Sequence, residues 1–240
     1  MNPTAHTIGS RLRAAYSRWR HPACEVLVCV YTCEADAELL MQFHESELGQ
    51  FLSRWPGARL LEVYADASVP RARLVGNRLT IRANESYGEL SIKTHRMIEH
   101  CVRHFRFHRL LKIDVANVKT QLDDPKFSGR KPVNLPAMID YLGGSDANKD
   151  YDGFLMHARQ RREDVERWAA RKGATIDLAR VFGDLPIPPY FGGLCYFLSR
   201  RFANYVAENG ASVADCHARY LVGSEDVMIG RLFVDFKDAS

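Results

Sequence analysis

Glu225 and Asp226 are adjacent carboxylates in GSEDVMIGRLF (223–233), a segment that reads as a loop opening onto a helix. A carboxylate held at a reacting hydroxyl can take its proton. The same group can also do no more than cap the helix or complement its dipole. A third acid, Asp114, closes the strand-like run RLLKIDVANV (109–118). It can offer a hard oxygen to a divalent cation, with the Asn117 amide oxygen three residues on as a further donor, or it can shape the turn. Lys93 and Lys112 can neutralise phosphate charge. The six cysteines, Cys24, Cys29, Cys33, Cys101, Cys195 and Cys216, form no C-x-x-C pair and no zinc spacing with histidine. They read as free thiols, most of them buried among apolar neighbours.

The elements that must position these groups alternate. EVLVCVYT (25–32) is an apolar, β-branched run that reads as a buried first strand. Residues 34–54 read as one long helix, ended by Trp55-Pro56-Gly57. Strands follow over 58–66 and 77–83, a helix over 88–106, and the strand of Asp114. Residues 120–153 contain Pro125, Pro132, Pro136 and the pair Gly143-Gly144, and read as loop-rich. VERWAARKG is helical up to Gly173. Residues 187–199 give a turn, the pair Gly192-Gly193 and a strand, and residues 200–209 begin another helix. Strands alternating with helices indicate an α/β sandwich, in which ligands gather beyond the carboxyl ends of the strands.

The chain has 240 residues, 46% hydrophobic and 26% charged, which fits one globular domain over 23–240 behind a basic helix over 1–22. A formal charge of +4 is too small to argue for nucleic acid, and no nucleic-acid-binding pattern occurs. No G-x-G-x-x-G or G-x-x-x-x-G-K-[ST] is present, which weighs against dinucleotide and P-loop readings. The adjacent acids Asp123 and Asp124 invite a two-metal nucleotidyltransferase reading, but before Pro125 they read as solvated turn residues. There is no run of eighteen apolar residues and no apolar leader. With the free thiols, this sets the expectation of a cytoplasmic protein. Arg11, Arg13, Arg18 and Arg20 beside Tyr16 and Trp19 have the composition of an interfacial helix, so peripheral contact with an anionic inner membrane is a further expectation, set against an ordinary solvated helix.

Three blocks occur in order. ESYGELSIKTHRMIEHCVRH (85–104) places Glu85, Tyr87, Ser91, Ile92, Lys93, Thr94 and Cys101. LLKIDVANV (110–118) places Lys112 and Asp114. PPYFGGLCYFLSRRFANYVAEN (188–209), followed by SEDVMIGRLF (224–233), places Pro189, Tyr190, Gly193, Tyr196, Leu198, Ser199, Glu225, Asp226, Val227 and Gly230. Together they resemble the β-1,3-galactosyltransferase and Fringe family of glycosyltransferases. The sequence departs from that family at Val115 and Ala116, where the family carries further acidic residues.

The resemblance implies a GT-A fold, a Rossmann-like α/β/α sandwich with a mainly parallel central sheet. It implies an inverting transferase that moves a hexose or N-acetylhexosamine from a UDP-sugar to a saccharide hydroxyl in β-1,3 linkage. A lipid-linked acceptor in lipopolysaccharide or cell-surface polysaccharide synthesis is the matching expectation. Asp226 falls at the family's base, with Glu225 as the fallback. Tyr31 and Thr32 at the first strand end, Asp66 at the second, and Lys93, Lys112 and Asp114 would line the donor site. Tyr190, Phe191, Gly192 and Gly193 would shape the sugar and acceptor site, where glycine lets a backbone approach a ligand closely. Mn²⁺ or Mg²⁺ would be held through Asp114 and Asn117. Because valine and alanine coordinate nothing, a site completed from elsewhere and a metal-free site with lysine on the phosphate both remain open. The same departure leaves the alternative of an inactive family member that binds a sugar or a protein.

Overall fold

The computed structural model describes residues 23–116, 138–139, 149–153, 156–157, 161–172, 176–221 and 223–239. The expected helix over 1–22 and Asn117, Asp123 and Asp124 lie outside the described residues. In chain order the first half contains β1 (Cys24–Tyr31), α1 (Ala37–Glu45), α2 (Glu47–Arg54), β2 (Ala58–Ala65), β3 (Arg73–Val75), β4 (Arg78–Ile81), α3 (Leu90–His104) and β5 (Phe107–Asp114). The second half contains β6 (Tyr151–Gly153), β7 (Met156–His157), α4 (Arg162–Lys172), α5 (Leu178–Phe182), β8 (Tyr190–Phe191), β9 (Cys195–Ser199), α6 (Arg200–Asn209), α7 (Ala211–Tyr220) and α8 (Glu225–Asp238).

β1 is apolar on both faces, so helices must cover it from both sides. Val26, Val28 and Val30 pack with Phe43, Leu48 and Leu52 from α1 and α2. Leu27, Cys29 and Tyr31 pack on the other face with Met97 and Ile98 of α3, Phe202 of α6 and Met228 and Ile229 of α8. The chain is therefore an α/β protein with a sheet between two helical layers. No helix among the described residues is long and apolar enough to cross a membrane. All six thiols are free, and four of them are buried.

The seven-stranded sheet has the order β3-β4-β2-β1-β5-β9-β6. β4, β2, β1 and β5 are joined in parallel, while β3, β9 and β6 join antiparallel. The sheet is thus mixed, where the sequence reading expects a mainly parallel one. The reason lies at β9. The Asp114 amide donates to the Leu194 carbonyl at 2.9 Å, so the chain enters β9 beside the carboxyl end of β5 and can only run back antiparallel. That entry brings the turn over residues 192–194 to the edge where β1 and β5 end at the paired Tyr31 and Asp114.

The expected helix over 34–54 is broken at Ser46, whose extended backbone ends α1. Its hydroxyl oxygen accepts from the Gly49 amide at 3.1 Å and caps α2, a use of serine that competes with its staying inside a helix. The run over 109–118, read as a strand running into a turn, is a strand up to Asp114, whose carboxylate accepts from the Ala116 amide at 2.8 Å and turns the chain.

Candidate functional site

Side chains alternate along β5, so Leu110, Lys112 and Asp114 share one face. Leu110 takes its place in the core, and Lys112 lies almost wholly out of solvent, 1% exposed. A buried ammonium must be paired. Lys112 Nζ donates to the Gly193 carbonyl and to Glu225 Oε1 at 3.1 Å, and Asp114 Oδ2 lies 3.8 Å away. The rings of Tyr31 and Tyr196 face it with centroids at 4.6 and 5.8 Å, an arrangement that favours a cation. Burial works against the charge. Glu225, Asp114 and Asp226 together outweigh it and hold the ammonium above the ordinary lysine range.

Asp226 stands beside this group at the start of α8. Its Oδ1 accepts from the Val227 amide at 2.8 Å and its Oδ2 from the Gly193 amide at 3.1 Å. Burial, reinforced by the Glu225 charge, pushes its carboxyl up to about 7, against the opposing pull of the two amides and Lys112. A carboxylate poised there is half available as a base at neutral pH. The structure thus brings Lys112, Asp114, Gly193, Glu225 and Asp226 together at the carboxyl edge of the sheet.

Two glycines make this packing possible by close approach. A Cβ on Gly230 would stand 2.7 Å from both the Pro189 carbonyl oxygen and Tyr190 Cβ, so α8 sits directly on the segment that leads into β8. A Cβ on Gly193 would stand 2.3 Å from Glu225 Oε1. Glu225 is held by Lys112 and cannot swing away freely. Gly193→Ala is therefore expected to cost about 1–3 kcal/mol of stability, as overpacking does. Denaturant unfolding checks this; a wild-type midpoint would mean that the Glu225–Lys112 pair is not rigid.

The pH dependence of stability carries a second expectation. Asp226 keeps its proton in the folded chain up to about 7, whereas its ordinary value is 3.8. The folded chain then binds more protons than the unfolded chain between these values. The stability contributed by this group is complete below about pH 4 and is lost as pH rises through about 7. Asp226→Asn should flatten that slope. Melting temperatures at pH 5 and pH 8 test it: the wild type should lose more than the variant over that interval, and parallel losses would show that Asp226 titrates normally.

The other expected donor residues form a second group. Lys93 of α3 is buried and donates to the Thr32 carbonyl at 3.0 Å and to Glu85 Oε1 at 2.6 Å. Glu85 Oε2 in turn accepts from the Ala65 amide at 2.6 Å, so this network ties the ends of β1 and β2 to the segment before α3. Burial lowers the Lys93 ammonium and the Glu85 contact opposes that. The Tyr31 ring lies between the two groups, with Lys93 Nζ 5.2 Å from its centroid, and its hydroxyl donates to Thr94 at 3.0 Å. Tyr31 and Thr32 are buried, so they brace the site from within the core. Asp66 is exposed at the end of β2, its Oδ1 taken by the Ser68 amide and hydroxyl.

Tyr190 is buried, and Phe191 meets the Tyr151 ring edge-on at 4.9 Å while its amide donates to the Tyr151 hydroxyl at 3.0 Å. Gly192 is buried at the turn and its carbonyl accepts from the Cys195 amide at 3.2 Å. Tyr151 and the pair His217–Ser224 are positioning residues that no motif marked. The Ser224 hydroxyl donates to the Leu221 carbonyl, so His217 Nδ1, 3.0 Å away, must donate to Ser224 Oγ. Burial first of all holds His217 down at about 4, which keeps it neutral for this role. The pair fixes the turn immediately before Glu225 and Asp226. Only a contact across seven residues reveals it, and no local pattern carries that signal.

No protein-family model matches the chain, and no curated protein matches it.

Proposed function

We propose that the chain is an inverting glycosyltransferase of GT-A type that transfers a hexose or N-acetylhexosamine from a UDP-sugar to a saccharide hydroxyl. The observation that carries the reading is the convergence of Asp226 with Asp114 at one sheet edge, through Lys112 and Gly193. These are the positions that the resemblance to β-1,3-galactosyltransferases and Fringe assigns to the base and to the nucleotide-phosphate end of the site. The separation in sequence is large, yet one buried ammonium touches both acids of the pair Asp114 and Glu225.

In this reading Asp226 accepts the proton of the acceptor hydroxyl. The freed oxygen attacks the anomeric carbon, the bond from that carbon to the nucleoside diphosphate breaks, and configuration inverts. The raised Asp226 carboxyl suits that proton transfer near neutral pH. Glu225 is paired with Lys112 and so keeps α8 and the glycine turn in register. The β-1,3 linkage follows from the resemblance, and a lipid-linked acceptor at the inner membrane face follows from the arginines beside Tyr16 and Trp19; both belong to the same proposal.

Equilibrium titration with UDP, followed by turnover of UDP-sugars, tests the reading. Saturable UDP binding with subsequent sugar transfer supports it. Binding without turnover on any saccharide would turn it into the alternative of a sugar-binding relative that has lost activity. No UDP binding would remove it.

A further inference from the structure

A divalent cation at Asp114 would take one or two carboxylate oxygens of the chain, with water and nucleotide phosphate completing its coordination. Five of the six carboxylate oxygens of Asp114, Glu225 and Asp226 already face other partners. Asp114 Oδ1 is taken by the Ala116 amide at 2.8 Å, and Oδ2 faces the Lys112 ammonium at 3.8 Å. Glu225 Oε1 is taken by the same ammonium at 3.1 Å. Both Asp226 oxygens accept backbone N–H groups, from Val227 and Gly193. Val115, next after Asp114, is 1% exposed and packs with Leu111 and Ile113 in the core. Ala116 offers only its methyl group as a side chain. No group of three or more His, Cys, Asp or Glu among the described residues is arranged to hold a metal ion.

The charge that these acids require comes from the protein itself. Lys112 reaches the cluster from the middle of a core strand, with two tyrosine rings facing its ammonium. A positive group so placed repels a second cation at the same oxygens. We infer that the Lys112 ammonium is the resident cation of the Asp114–Glu225–Asp226 cluster, and that this cluster takes no divalent metal ion. Only the nucleotide arm of the test below rests on the glycosyltransferase reading.

The experiment uses the full chain after treatment with EDTA and removal of the chelator. MnCl₂ alone is titrated by calorimetry into the wild type and into Asp114→Asn, and UDP is titrated into the wild type in EDTA and in MnCl₂. The expected result is no saturable Mn²⁺ binding that depends on Asp114, and UDP affinity that is the same in both buffers. Saturable Mn²⁺ binding to the wild type that disappears in Asp114→Asn overturns the inference. So does UDP binding that needs Mn²⁺ in the wild type. UDP that binds in neither buffer removes the glycosyltransferase reading, while the metal titration still answers for the cluster.

Discussion

Asp226→Asn is expected to lower sugar transfer by about 10²–10⁴-fold, the usual contribution of a positioned general base, while UDP-sugar affinity stays near wild type. The substitution is isosteric, and the amide oxygen can still accept from one of the two N–H groups that the carboxylate engages. What it removes is the capacity to take a proton. The competing reading makes Asp226 a cap for α8; the N-cap position belongs to Ser224, and Asp226, second in the helix, accepts one free first-turn N–H, that of Val227. Loss of a cap costs about 0.5–2 kcal/mol of stability and leaves turnover of the folded fraction intact. Steady-state kinetics alongside a melting curve therefore separate the two roles. Normal turnover with a lowered melting temperature would make Asp226 a cap and nothing more.

Lys112→Met is expected to destabilise the fold by about 3–5 kcal/mol, the range for removing one partner of a buried ion pair. The loss comes less from the missing attraction than from what remains. Glu225, 5% exposed, would be left buried with no cation beside it, and the Gly193 carbonyl would lose its donor. The double variant Lys112→Met/Glu225→Gln should recover much of that cost, because a neutral pair no longer needs the ammonium. A double-mutant cycle in urea measures the coupling. If the single variants simply add, Lys112 and Glu225 are not the pair that holds β5 to α8.

Much of the frame was legible in the pattern of residues. β1 is apolar on both faces from Val26 to Tyr31, and such a strand must lie inside a sheet covered on both sides. The ends of β1 and β5 at Tyr31 and Asp114, and the start of α8 at the acidic pair, follow from where apolar runs give way to polar residues. The orientation of Lys112 had a signal too. A lysine between Leu111 and Ile113 in a buried strand has to find an anion. What local pattern cannot supply is the anion's identity, since Glu225 lies 113 positions away. The same limit hid His217 under Ser224 and Tyr151 under Phe191, and it hid the burial of Tyr31 and Thr32. The break at Ser46 and the reversal at β9 were missed for another reason. Both depend on hydrogen bonds that periodicity does not record, the Ser46 cap on Gly49 and the Asp114 amide on the Leu194 carbonyl.

The role proposed for Asp226 is to activate a saccharide hydroxyl against a UDP-sugar at this edge of the sheet. It is tested most directly by release of free UDP from a panel of UDP-sugars, measured with and without saccharide acceptors, for the wild type and Asp226→Asn side by side. The expected result is acceptor-dependent release from at least one UDP-sugar by the wild type, almost abolished in the variant. Absence of release from every UDP-sugar, or equal release by the two proteins, would contradict the account.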